Sequence, residues 1–153
     1  MTLGRVLTVA GLMALLLVPG PLGAQERYMR ERKLTIQSNI NQALPEARRG
    51  LQLLQSAGGN GEQILRASEA IFASYKLLRS AQESSETVLA HSAFPDPIMQ
   101  IRNARIQKIR DRLRFCHDAD GLMVKQDSET TAECLKGLVE AVRNLEIVVE
   151  TMN

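Results

Sequence analysis

Leu135, Leu138, Val142, Leu145, Val149 and Met152 recur at a 3-4-3-4-3 spacing. In a helix that spacing places all six side chains on one seam. An apolar seam of this length must be buried, so the rest of the chain has to supply matching seams. Three more stretches do so. The first is a helix expected from about Glu26 to Ser56, with the stripe Met29, Lys33, Ile36, Ile40, Leu44, Ala47, Leu51 and Leu54. Pro45 falls inside it and removes one backbone hydrogen bond. The heptad phase runs on from Ile40 to Leu54, so the pattern predicts one kinked helix rather than two.

Gly58-Gly59-Asn60-Gly61 reads as a turn, and Asn60 followed by Gln63 is a capping-box pattern for a second helix. Its stripe is Ile64, Ser68, Ile71, Tyr75, Leu78, Gln82, Ser85 and Leu89. Asp96 as N-cap with Pro97 at the first helical position starts a third helix. Its stripe is Ile98, Arg102, Arg105, Ile106, Ile109, Leu113 and Cys116. Asp127 or Ser128 caps the fourth. No stretch alternates as a strand would. The expected fold class is all-α, an antiparallel up-down-up-down four-helix bundle over residues 25–153, following a cleaved signal peptide at residues 1–24.

The charges fit that arrangement. Six basic residues face three acidic ones between Glu26 and Arg49, and three face four between Glu62 and Glu86. The count is six against one from Arg102 to Arg114, and two against five from Glu129 to Glu150. Alternating signs give every helix of an antiparallel square neighbours of opposite sign. Each exposed pair contributes little, but the pattern disfavours wrong arrangements.

The N-terminus reads as an export signal. Arg5 precedes an apolar run from Val6 to Val18, Pro19, Gly20 and Pro21 break it, and Leu22-Gly23-Ala24 forms a cleavage site. The run is shorter than the ~20 residues that span a bilayer. A periplasmic or secreted protein with no membrane span after cleavage is expected. Retention as an uncleaved anchor is the alternative. Without Arg5 the chain keeps 18 basic and 17 acidic residues. That balance argues against charge-driven nucleic-acid binding, and the two Tyr and three Phe do not alternate with basic residues.

Two cysteines in an exported chain predict a disulfide, here Cys116–Cys134. Covalent haem attachment needs Cys-x-x-Cys-His, and Cys116-His117 lacks the first cysteine. A Cys116–His117 dyad is disfavoured because adjacent helical residues point about 100° apart. Asp118, Asp120, Gly121 and Asp127 partly match a calcium loop, but Cys116 and Val124 fall where ligands are needed. The chain has no phosphate-binding glycine loop, no His-Glu-x-x-His and no Glu-x-x-His. No enzyme activity and no cofactor are predicted.

The stripes turn polar toward the end of the bundle away from the cysteines. Lys33, Gln37, Gln82, Ser85, Arg102 and Arg105 are expected to form a basic, hydrogen-bonding cleft there, suited to an anionic small ligand or an acidic segment of a protein partner. Glu86, Glu146 and Glu150 are the rival, because they could neutralise the arginines internally. Met29, His91, Met99 and Met152 fall at the same end, and thioethers with one imidazole suit Cu(I). Methionine also fills gaps at bundle ends, so no metal site is assigned. The expected function is a binding or interaction module of the cell envelope, with a small cofactor- or metal-binding bundle as the alternative.

Overall fold

A computed structural model describes residues 21–94, 96–117 and 125–152. The expected signal segment up to Gly20 and the acidic loop residues Asp118, Asp120 and Gly121 lie outside the described residues. Four helices account for nearly all the rest: α1 (Pro21–Ser56), α2 (Gly61–Ala90), α3 (Pro97–His117) and α4 (Ser128–Glu150). No strand occurs among the described residues.

The helix boundaries follow local chemistry. α1 is described from Pro21, ahead of the expected Glu26. It continues through Pro45. Pro45 and Asn41, whose carbonyl loses its helical donor, are both on the exposed side, where water can satisfy that oxygen. Gly58 and Gly59 take positive φ, +51° and +86°, to turn the chain. Asn60 caps α2 by accepting from the N–H groups of Glu62 (3.0 Å) and Gln63 (3.3 Å). The reciprocal half of the capping box is absent: the Asn60 N–H donates to Ala57 O at 2.7 Å, and Gln63 Oε1 is buried without a donor. Asp96 caps α3 through Ile98 N–H (2.9 Å), and Asp127 caps α4 through Thr130 N–H (2.7 Å).

The helices meet in a ring: α1 touches α2, α2 touches α3, α3 touches α4 and α4 touches α1, while neither diagonal pair meets among the described residues. Along α1 and α2, Arg32 donates to Ser84 (3.5 Å), Asn39 to Ser80 (3.0 Å), and Ser74 to the carbonyl of Ala43 (2.9 Å). Numbers rise on one helix as they fall on the other. α3 and α4 show the same relation, with Arg102 beside Thr151, Arg112 beside Glu140 and Cys116 beside Cys134. Two ion pairs between described residues, Arg48–Glu146 (2.7 Å) and Arg112–Glu140 (3.4 Å), each link a basic helix to acidic α4. Their side chains are largely exposed, so they favour an arrangement more than they stabilise it.

The core is continuous from end to end. Ile40, Ile71, Leu78, Leu113, Leu138 and Leu145 are fully buried, each contributing roughly 1.5–3 kcal/mol. Small residues let α1 and α2 approach closely: Ala43, Ala47 and Gly50 on one, Ala67 and Ser74 on the other. Cys116 and Cys134 are buried with Cα atoms 5.4 Å apart and form the expected disulfide. Among the described residues no helix is long and apolar enough to cross a membrane.

Two expectations need correction. The inward seam of α3 is Met99, Arg102, Ile106, Ile109, Leu113 and Cys116, whereas Ile98 is 64% exposed. Met99 and Ile98 are adjacent and both apolar, so the pattern alone could not fix the phase; packing beside Met152 does. The interior at the end away from the disulfide is also not polar. Ile36, Ala81, Val88, Met99, Leu145 and Val148 fill it, with Ser84 and Ser85 buried among them. A helix turns every 3.6 residues rather than 3.5, so buried faces are broader than a strict stripe and take in Val88 and Val148.

Candidate functional site

The predicted six-residue cluster divides. Lys33, Gln37 and Arg102 come together and line a cleft of about 230 Å³ with Ile36, Asp96, Met99 and Met152. α1 supplies one wall, the first turns of α3 the second, and the chain just beyond α4 the third. Lys33 and Gln37 sit one turn apart on the exposed edge of α1. Arg102 is half-buried, and one Nη donates to Thr151 O over 3.5 Å. Its Nε is buried without an acceptor.

Arg102 and Lys33 form no ion pair among the described residues. The expected neutralisers are engaged or out of reach: Glu146 pairs with Arg48, Glu86 accepts from Gln82 (2.9 Å), and Glu150 reaches neither arginine. Among the described residues Asp96 is the only acid lining the cleft, and one of its oxygens caps α3. The cleft therefore combines two cations, one amide and three apolar side chains around a single carboxylate.

Gln82, Ser85 and Arg105 are elsewhere. Gln82 accepts from Arg110, which also donates to Tyr75 Oη (3.4 Å) and lies over that ring at 5.2 Å. Arg110 was not anticipated. The signal for it was register: the α2–α3 contact brings residue 110 level with Tyr75 and Gln82, whereas residues 102 and 105 lie nearer the start of α3. Ser85 is buried in the α2 seam. Arg105 lines a separate groove on the outer side of α3 with Ile101, Ala104, Lys108 and Asn144.

The methionines divide too. Met99 and Met152 share the Arg102 cleft, while Met29 lines an open groove with Gln25, Glu26, Arg30 and Lys33. His91 is exposed beyond α2, its Nδ1 2.8 Å from Thr87 O. No group of three His, Cys, Asp or Glu side chains suited to a metal occurs among the described residues. Asp127, the described member of the calcium pattern, is an N-cap: its carboxylate accepts the backbone N–H and the hydroxyl of Thr130, which hold its pKa below the ordinary Asp value. His117 stacks on Phe72 with ring centroids 3.8 Å apart, while Cys116 turns into the disulfide, so the two neighbours form no dyad.

No family model, curated protein or solved structure matches this chain.

Proposed function

We propose that this protein is an exported, non-enzymatic binding module of the cell envelope, periplasmic or secreted, built as an up-down-up-down four-helix bundle after cleavage of residues 1–24. The opposed pairings along the α1–α2 and α3–α4 contacts support the topology. The buried disulfide is compatible with an oxidising compartment.

The observation that carries the binding reading is Arg102. A half-buried guanidinium with no ion pair lines a cleft whose other walls are Lys33, Gln37, the apolar Ile36, Met99 and Met152, and one acid, Asp96, which is engaged in capping α3. Leaving such a charge without a counterion is costly. The ligand that fits is a small carboxylate with a short apolar body, or an acidic side chain of a protein partner. Its carboxylate would meet Arg102 and Lys33, and its apolar body the two methionines.

The test is a thermal-unfolding series with acetate, butyrate and hexanoate added to the full exported protein at constant ionic strength. Hexanoate is expected to raise the midpoint most, and Arg102→Leu to abolish the shift without lowering the unliganded midpoint. Equal shifts in the variant would reject the cleft as the site. The metal-binding alternative draws on Met99 and Met152 sharing that cleft. Copper retained after dialysis and lost in a Met99→Leu, Met152→Leu variant would favour it.

A further inference from the structure

The outer face of α3 carries a second seam. Ile98, Ile101, Arg105 and Lys108 recur at a 3-4-3 spacing, turned away from the buried seam that starts at Met99. Ile98 and Ile101 are 64% and 65% exposed, and Phe94, just before the helix, is 89% exposed. Three large apolar side chains open to water within eight positions do not help the bundle fold. Isolated exposed apolar residues are ordinary, but a row of them at helical spacing is the pattern of a contact surface.

A groove follows that row. Ile101, Ala104, Arg105 and Lys108 line a trough of about 400 Å³ against Asn144 of α4. Lys108 and Asn144 also line the next trough, of about 270 Å³, which extends along the α3–α4 seam to Arg112 and Glu140. The two share a wall and run parallel to the helices. From Ile98 to Arg112 the rise is ~21 Å at 1.5 Å per residue, the length of a helical segment of about 14 residues.

The charges along it are uneven. Arg112 is paired with Glu140. Arg105 and Lys108 have no carboxylate within ion-pair distance among the described residues, although acidic α4 lies beside them. The surface thus runs from apolar to cationic along one line, with the neutralised pair at its far end.

We propose that this groove docks an amphipathic helical segment of a partner protein, whose apolar residues cover Ile98 and Ile101 and whose carboxylates, one to two turns along, meet Arg105 and Lys108. The linear order of apolar and cationic positions along a trough fits a helix better than a flat lipid surface; Asp111 and Glu140, which line the far trough, would face either occupant. A second copy fits poorly as well: a two-fold axis at Asn103, which overlays the Ile98–Lys108 seam on itself, sets Ile98 against Lys108 and Ile101 against Arg105. This site is separate from the Arg102 cleft and does not depend on it.

The probe is a synthetic, end-blocked, labelled helix of 14 residues, with leucines at two successive i, i+3 positions and glutamates continuing the same face at heptad spacing. Fluorescence anisotropy with the full exported protein is expected to show saturable binding that weakens as salt rises. Binding should fall about tenfold or more with Arg105→Glu plus Lys108→Glu, and likewise with Ile98→Ser plus Ile101→Ser. A peptide with lysine in place of glutamate should bind the charge-reversed variant and not the parent protein, a rescue that misfolding cannot produce. Several results would overturn the proposal. These are equal binding of a scrambled peptide of the same composition, no binding at millimolar peptide, and failure of the charge-swap rescue. Adsorption to phosphatidylglycerol vesicles without peptide binding would assign the face to lipid. Self-association that disappears with Ile98→Ser plus Ile101→Ser would assign it to a second copy.

Discussion

Gly50 lies so close to α2 that a Cβ built on it would stand 2.7 Å from Ile71 Cγ1 and 3.3 Å from the carbonyl oxygen of Ala67. The first neighbour is a fully buried branched side chain, and the second is helix backbone. Neither can yield cheaply. Gly50→Ala therefore sets two effects against each other. Alanine is favoured over glycine in a helix by roughly 1 kcal/mol, while overpacking a close interface costs about 1–3 kcal/mol. Overpacking is expected to win, with a net loss of about 1 kcal/mol in denaturant unfolding. A gain near the propensity difference would mean that α1 and α2 stand further apart. Ser74→Ala, on the same interface, should cost a further ~1 kcal/mol by removing the bond to Ala43 O.

Gln82 and Arg110 form a polar link between α2 and α3, with Tyr75 as the second acceptor. Arg110 Nε is already buried without a partner. Gln82→Ala should therefore cost about 1–3 kcal/mol, because it strips the guanidinium of its main acceptor. Arg110→Met should cost less, since a methionine stem keeps the packing over Tyr75 and removes the charge. The double variant should be less destabilised than the sum of the singles. A double-mutant cycle with a coupling below ~0.5 kcal/mol would show that the link contributes no more than separated sites do.

Cys116 and Cys134 close a segment of 18 residues in sequence separation. By the loop-entropy account such a closure stabilises by about 3 kcal/mol. Cys116→Ala with Cys134→Ala should lower the unfolding free energy by that order, and unreduced, denatured protein should titrate no free thiol. Two thiols per chain would show that the pair is not oxidised.

Much of this was legible in the residues because it is local. Asn60, Asp96 and Asp127 announce helix starts through side chains that reach only two or three positions ahead. Pro45 did not end α1, because it stands on the exposed face and the buried seam from Ile40 to Leu54 is unbroken beside it. Phase within a helix was harder to read. Ile98, Met99 and Ile101 are all apolar, and it is packing beside residues distant in sequence, such as Met152 just beyond α4, that goes with Met99 turning inward. The same one-residue ambiguity carried Arg105 from the expected cleft to the outer groove. Register across helices was harder still. Gln82 could be matched to Arg102, Arg105 or Arg110 until the α2–α3 alignment was known.

Asp127 provides the pH-dependent prediction. Its carboxylate accepts the Thr130 N–H (2.7 Å) and the Thr130 hydroxyl (2.9 Å), and these bonds hold its pKa below that of an ordinary aspartate. The bonds favour the charged form, as does the N-terminal end of the α4 dipole. A carboxylate with a lowered pKa in the folded state adds stability above its unfolded pKa, about 3.9 for aspartate. That stability is lost as pH falls through the lowered folded value. Asp127→Asn keeps one capping oxygen, but its NH2 cannot accept from the Thr130 hydroxyl, so it removes the charge together with one acceptor, as protonation of the carboxylate does. Parent and variant should differ in unfolding midpoint at neutral pH, with the parent higher, and converge in acid below the folded pKa. A difference that persists unchanged in strong acid would mean that hydrogen-bond geometry alone, without the charge, caps α4.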